Sequence, residues 1–269
     1  MDRYAVIGNP VAHSKSPEIH AEFARSTGEG IEYGRLLASL DGFAVAVERF
    51  RAGGGKGANV TLPFKEDAFR LATALSNRAR GAQAVNTLRF DRDRIFGDNT
   101  DGAGLVRDIR HNRGVALAGK RVLLLGAGGA ARGVIAPLLA EHPASLVVAN
   151  RTPGKARALA VLFGRGVEAN TYAELAGARF AVVVNATSAS LAGNLPPLPE
   201  GVFAPGALAY EMVYGMGETP FLAFARTQGA GVLADGLGML IEQAAESFFV
   251  WRGIRPDTRA AFDALREAG

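Results

Sequence analysis

The sequence predicts an α/β protein of two domains: an N-terminal α/β domain, then a doubly wound parallel sheet, with C-terminal helices returning to the first domain. Three observations carry this reading. Short apolar runs alternate with amphipathic stretches along most of the chain. Arg121-Val122-Leu123-Leu124-Leu125 is continuously apolar after its first residue, as in a strand buried on both faces. Gly126-Ala127-Gly128-Gly129-Ala130-Ala131 follows at once and opens a helix. The expected boundaries are 1–101 plus 238–269 for the first domain and 102–237 for the second, with a cleft between them.

Each element has a local reason. Tyr4 to Gly8 is an apolar run broken by Gly-Asn-Pro and reads as a strand. Ser16-Pro17 then opens a helix, with serine as N-cap and proline at the first helical position. Ile19 and Phe23 share its inner face. Phe43, Val47 and Phe50 repeat that spacing in Asp41 to Ala52. Strands are expected near Glu32–Leu37, Ala58–Leu62, Ala84–Phe90 and Arg94–Gly97, the last two joined by Asp91-Arg92-Asp93. A helix is expected over Lys65 to Ala72. In the second domain, strands fall at Arg121–Leu125, Ser145–Asn150, Phe180–Asn185, Ala207–Val213 and Gly231–Ala234. Helices run from the glycine loop to about Glu141 and over Pro153 to Phe163. The chain closes with helices over Gly236–Trp251 and Pro256–Glu267.

Composition narrows the function. With 48% hydrophobic and 21% charged residues in 269, a sizeable core can form. The absence of cysteine excludes disulfides, thiolate metal sites and a cysteine nucleophile. The net charge of +4 is spread without basic runs, so no nucleic-acid footprint is expected. Small anionic ligands suit such a field. No stretch resembles a signal peptide or a membrane span, and a cytoplasmic monomer or homodimer is expected.

The glycine loop indicates a dinucleotide. Gly126, Ala127, Gly128, Gly129 and Ala130 would let the backbone approach a pyrophosphate, which the helix N-terminus attracts. The second strand ends in Asn150-Arg151-Thr152, where an NAD site carries an acid. Arg151 can offer a fork of donors to a 2′-phosphate, with Thr152 and Lys155 close by. The expected cofactor is therefore NADP.

Hydride transfer also needs a group that handles the alcohol proton. His13, His20, His111 and His142 are scattered and lack metal-ligand spacing. Lys65 is one of only five lysines among 30 basic residues. It reads either as a solvated charge opening a helix or as an ammonium that must release a proton, which a guanidinium cannot do. "GDNTDGAGL" sets Asp98 and Asp101 around a turn, with Thr100 as a candidate N-cap, and a lysine beside a carboxylate can form a proton-transfer pair. Ser14 and Ser16 suit a carboxylate ligand. Thr61 and Asn86 stand near strand ends, where α/β sheets place ligand contacts or simple turns.

Taken in order, Ser14-Lys15-Ser16-Pro17, Asn59 to Lys65, Ala84-Val85-Asn86-Thr87, Gly97 to Gly102, the glycine loop, Asn150-Arg151-Thr152, Asn185-Ala186-Thr187-Ser188 and Met239-Leu240-x-x-Gln243 resemble the shikimate dehydrogenase family. The resemblance spans nearly the whole chain. It implies a Rossmann-type second domain and reversible NADPH-dependent reduction of 3-dehydroshikimate to shikimate. It further implies that Lys65 and Asp101 form the catalytic pair and that Ser14 and Ser16 bind the substrate carboxylate. Thr61, Asn86 and Gln243 would hold ring hydroxyls, and Tyr214 would lie near the carboxylate. Glu211, Met216 and Ser190 depart from the family pattern, where aspartate, proline and glycine are usual. Two rival readings are a quinate or dual-specificity dehydrogenase and a non-catalytic NADP-binding regulator; an intact Lys65–Asp101 pair argues against the second.

Overall fold

The computed structural model describes residues 1–215 and 217–267. It divides into two compact units, residues 1–104 with the chain from Leu240 onward, and Leu105–Met239. The boundaries fall within the helices Asp101–Arg107 and Leu237–Arg252, two to three residues from the expected breaks.

The first unit is built on β1 (Asp2–Gly8), α1 (Ser16–Thr27), β2 (Ile31–Leu37), α2 (Phe43–Ala52), β3 (Gly55–Val60) and α3 (Lys65–Leu71). It continues with β4 (Ala74–Leu75), α4 (Asn77–Ala82), β5 (Thr87–Phe90), β6 (Ile95–Asp98) and the start of α5 (Asp101–Arg107). The sheet order is β2-β1-β3-β5-β6-β4, with β5 antiparallel to both neighbours. Ile7, Phe43, Val47, Val60, Phe64, Val85 and Leu88 form its core. The predicted strand over Ala84–Phe90 is shorter, because Ala84 to Asn86 lead into it as a loop. Ser16 is not the cap of α1. Lys15 holds that position, and the Ser16 hydroxyl is engaged by Ser14 instead of by the helix amides. Thr100 likewise spends its hydroxyl on Asn86, Gln243 and Ser247.

The second unit carries β7 (Arg121–Leu125), α6 (Gly129–Ala140), β8 (Ser145–Ala149), α7 (Pro153–Phe163), β9 (Val167–Asn170), β10 (Phe180–Asn185), β11 (Phe203–Glu211), α8 (Pro220–Thr227) and β12 (Val232–Ala234). All six strands are parallel, in the order β12-β11-β10-β7-β8-β9. This is the doubly wound order, which reverses between β7 and β10. Val122 and Leu124 enter one core layer while Leu123 and Leu125 enter the other. Period-two alternation with both faces covered is why that strand reads as unbroken apolar sequence.

The chain ends with α9 (Leu237–Arg252) and α10 (Arg259–Glu267). From Leu240 onward it belongs to the first unit, where α10 packs on α1. Trp251 stacks on Tyr4 at 4.6 Å, and its indole N–H donates to the Leu88 carbonyl at 2.9 Å. Among the described residues, no helix is long and apolar enough to cross a membrane.

His20 lies fully buried on the inner face of α1, against this aromatic layer and 4.3 Å from the ring of Tyr33. Its Nε2 faces the Asn59 Oδ1 acceptor at 3.2 Å, so Nε2 carries the proton; Nδ1 meets no partner among the described residues. Burial lowers its pKa to about 3, the Asn59 contact opposing only weakly. Above pH 6.5 both folded and unfolded chains hold this histidine neutral. Below it, only the unfolded chain takes the proton, so stability falls as pH falls toward 3. Between pH 7 and pH 5 this one group is expected to cost roughly 2 kcal/mol. Urea unfolding at both pH values checks it: the stability gap between wild type and His20→Gln shrinks by about that amount. An unchanged gap would contradict the buried neutral imidazole.

Candidate active site

In the first unit Thr100, Asp101 and Gln243 converge on Asn86. This side chain is 2% exposed and lies in the loop before β5. Its Nδ2 donates toward Thr100 Oγ1 at 2.9 Å, Asp101 Oδ1 at 2.9 Å and Gln243 Oε1 at 3.1 Å. Its Oδ1 accepts from the Thr100 amide at 2.8 Å and the Thr87 hydroxyl at 3.0 Å. The Asn86 backbone is fixed as well, its N–H on Asp98 and its carbonyl under the Val60 amide. A buried amide with all its groups engaged has one orientation, and it hands that orientation to Asp101.

Lys65 reaches the other Asp101 oxygen, Nζ to Oδ2, at 2.6 Å. The lysine opens α3 directly after Phe64, which is fully buried and stacked on Phe43 at 5.0 Å. The Lys65 carbonyl accepts from the Val85 amide at 2.9 Å. Core packing and one backbone bond therefore fix the lysine root, leaving a four-carbon arm to aim the ammonium. The side chains are 27% and 10% exposed, so the pair is sheltered but open to a ligand.

Asp98, three residues earlier, has a different task. Burial pushes its carboxyl up, yet Arg78, Ser76 and the Asn99 amide outweigh this and hold it below its ordinary value. It anchors the turn that carries Asp101.

Ser14 and Ser16 are both buried, with Ser14 Oγ donating to Ser16 Oγ at 3.2 Å. Thr61 is half-buried on the turn that ends in Lys65, and its carbonyl accepts from Phe64. Gln243 on α9 donates its Nε2 to Leu240. His13, His111 and His142 are exposed. Sequence reasoning missed Asn59, whose Nδ2 donates to the Asn86 carbonyl at 3.2 Å and to Ser247 Oγ at 2.9 Å. The available signal was an amide between Ala58 and Val60 in β3, where both neighbours are apolar.

The second unit holds the glycine loop at the end of β7. Gly126 has φ +104°, and a Cβ there would stand 3.1 Å from the Ala186 carbonyl. Packing and backbone conformation both demand glycine at this position. Gly128 and Gly129 differ: a Cβ on either would meet no atom of the protein within 4 Å. The free space over the N-terminus of α6 fits the pyrophosphate of a dinucleotide, which a Cβ would intrude upon. Ala127 is buried and Ala130 exposed beside it. Asn150 Nδ2 closes on the Thr152 carbonyl at 3.0 Å, while Arg151, Thr152 and Lys155 are exposed after β8. Burial raises the Tyr172 phenol, with the nearby Arg151 charge opposing. No acid follows β8 directly, so the set fits a 2′-phosphate.

Glu211 and Ser190 are coupled. Glu211 Oε2 accepts from Ser190 Oγ at 2.6 Å, Asn185 Nδ2 at 2.9 Å and Thr219 Oγ1 at 3.2 Å, all buried. The two departures from the family pattern thus meet inside the fold. Tyr214 is half-buried in the second unit, whereas the Asn86-centred group belongs to the first; Met216 lies outside the described residues. Among the described residues, no His, Cys, Asp and Glu cluster suits a metal.

Three family descriptions match the chain: shikimate dehydrogenase substrate binding domain over 6–88, shikimate / quinate 5-dehydrogenase over 108–192, and shikimate 5′-dehydrogenase C-terminal domain over 236–266. A curated relative, the shikimate dehydrogenase (NADP(+)) of Dechloromonas aromatica (strain RCB), is 64% identical over 98% of this chain and 97% of its own. An Ael1 enzyme from Pseudomonas putida has a crystal structure 53% identical, with TM-score 0.95 over 98% of both chains. Shikimate 5-dehydrogenase from Thermus thermophilus, solved with NADP(H) and shikimate, is 35% identical with TM-score 0.90 over 100% of both chains.

The space over the loop glycines has a measurable consequence. Gly129→Ala fills no occupied volume and sits at the first position of α6, so folding stability is expected to hold or rise by up to about 1 kcal/mol. Thermal unfolding of the ligand-free protein checks this. A loss of stability would mean that the glycine serves packing.

Proposed function

The chain belongs to the shikimate dehydrogenase family, and from that premise we propose that Lys65 and Asp101 handle the proton while the chain interconverts 3-dehydroshikimate and shikimate with NADP. The observation that carries this assignment is the 2.6 Å Lys65–Asp101 contact, with the second Asp101 oxygen taken by Asn86.

NADPH supplies the hydride when bound. The residues of the chain supply the rest. In reduction, the Lys65 ammonium donates to the carbonyl oxygen as negative charge builds there, and passes it a proton. In oxidation the amine takes that proton back. Asp101 accepts from Lys65 and from a neighbouring ring hydroxyl, which aligns the ring. Asn86 fixes Asp101 and is itself held by Gln243; Asn86, Gln243 and Thr61 would hold further hydroxyls. Ser14 and Ser16 take the carboxylate, and Tyr214 serves the same end. In the second unit, residues 126–130 would cradle the pyrophosphate. Asn150, Arg151, Thr152 and Lys155 would grip the adenosine end and its 2′-phosphate. The residues assigned to each ligand come from one chain, so the reading holds for a monomer and a homodimer alike. A cysteine-free biosynthetic enzyme suits the cytoplasm.

Two variant series test these roles. Lys65→Ala is expected to lose at least ~10²-fold in kcat, with NADP+ binding within about 2-fold of wild type. Lys65→Arg keeps the charge and is expected to lose as much, because a guanidinium does not give up its proton. Steady-state kinetics decides: an active Lys65→Arg variant would reduce the lysine to an electrostatic role. For the cofactor, Arg151→Ala is expected to raise KM for NADP about tenfold or more, and KM for NAD by under about 2-fold. Equal effects on both would refute the phosphate contact. Running shikimate and quinate against both cofactors tests the whole reading, and faster NAD-linked quinate oxidation would overturn it.

A further inference from the structure

Arg78, on α4, ties together two of the segments that supply partners to Asn86. Its guanidinium grips Asp98, the last residue of β6, through two bonds: Nη2 to Oδ2 at 2.6 Å and Nε to Oδ1 at 3.1 Å. The remaining arm, Nη1, donates to Glu246 Oε1 on α9 at 2.7 Å. A guanidinium is a rigid planar fork, so this one side chain sets the spacing between the end of β6 and α9. Asp98 is 3% exposed, and a carboxylate buried to that degree is held only where its charge is met.

Each end of the bridge leads to a site residue. On the β6 side, Asp98 Oδ1 also accepts from the Asn99 amide at 2.7 Å, and Asn99 Oδ1 accepts from the Asp101 amide at 3.2 Å. The Asp98 carbonyl accepts from the Asn86 amide at 3.0 Å. On the α9 side, Glu246 lies three residues after Gln243, one turn along the same helix. Its second oxygen accepts from Arg255, which also donates to Glu242 at 2.8 Å, next to Gln243. Asp101 and Gln243 meet at Asn86 Nδ2, and Arg78 joins their two segments a second time. A lysine at this position would keep the charge but lacks the fork that holds both carboxylates at a fixed angle.

We propose that Arg78 is a positioning residue, bridging Asp98 and Glu246 so that Asp101 and Gln243 stand at the spacing one substrate ring requires. This assignment rests on the substrate-binding roles given to Asp101 and Gln243 above. In Arg78→Lys, KM for shikimate is expected to rise about 5- to 10-fold, the worth of one charge-assisted hydrogen bond. The kcat is expected to stay within about 3-fold, because Phe64 and Val85 set the root of Lys65 independently. The NADP+ Kd is expected within about 2-fold, since the residues assigned to the cofactor belong to the second unit. Glu246→Ala cuts the other end of the bridge and leaves Asp98 its partner, so it reads the bridge even where Arg78→Lys does not fold. Its KM for shikimate is expected to rise about 3-fold or more, and the double variant to fall short of the product of the single effects. Steady-state kinetics of the four proteins, calorimetry for NADP+ and melting temperatures supply the readout. An unchanged shikimate KM in a folded single variant, a matching loss of NADP+ affinity, or single effects that multiply would each overturn the assignment. A residue that serves stability alone would lower the melting temperature and leave the KM of the folded protein at the wild-type value. Wild-type protein that neither binds nor oxidises shikimate would overturn the underlying reading too, and the wild-type rate alone distinguishes that failure.

Discussion

One buried amide constrains the part of the first unit that holds the Lys65–Asp101 pair. Asn86 must satisfy both ends of its side chain away from water, and its partners come from three segments: Thr87 at the start of β5, Thr100 and Asp101 on the turn after β6, and Gln243 on α9. Leaving a buried amide group unpaired costs about 1–3 kcal/mol, more than one ordinary hydrogen bond contributes. The arrangement is therefore held by the penalty for disrupting it. Asp101 inherits its orientation from that penalty, and Lys65 inherits a fixed acceptor. The lysine contributes little to holding the fold, because its root is already set by Phe64 and Val85.

The second unit is governed by backbone. Its loop glycines divide into one that the fold requires and two that it does not. Gly126 is needed for the turn between β7 and α6, where Ala186 presses close. Gly128 and Gly129 face open space, and their small size matters for what approaches α6 from outside. In the proposed reading, selectivity rests on exposed side chains after β8, where Arg151 stands in place of an acid. Rigid backbone for the shared part of a dinucleotide, and surface charge for the part that differs, is a consistent division of labour.

Much of this was legible in the sequence because each signal had a strong physical cause. β7 is apolar throughout its interior since both faces are covered, and the glycine loop after it marks the tight first βα turn of a dinucleotide-binding sheet. β4, with two residues, and β9, Val-Glu-Ala-Asn, carry no apolar run and left no trace. α4 was hidden because its face is lined with small residues, Ala79 and Ala82. Lys65 and Asp101 stood out as individual residues, but their contact spans 36 positions and only folding reveals it. Ser16 shows the opposite error: a sound helix-cap signal was overridden by a partner outside the helix, Ser14.

The central claim is that the Lys65 amine and the Asp101 carboxylate, aligned by Asn86, address neighbouring oxygens of one ring. A crystal structure of the chain with shikimate and NADP+ bound is the most direct test. The reacting oxygen is expected within about 3.2 Å of Lys65 Nζ, with a neighbouring hydroxyl on Asp101 and the Asn86 contacts retained. A ring bound with its reacting oxygen away from Lys65, or a lysine turned out to solvent in that complex, would contradict it.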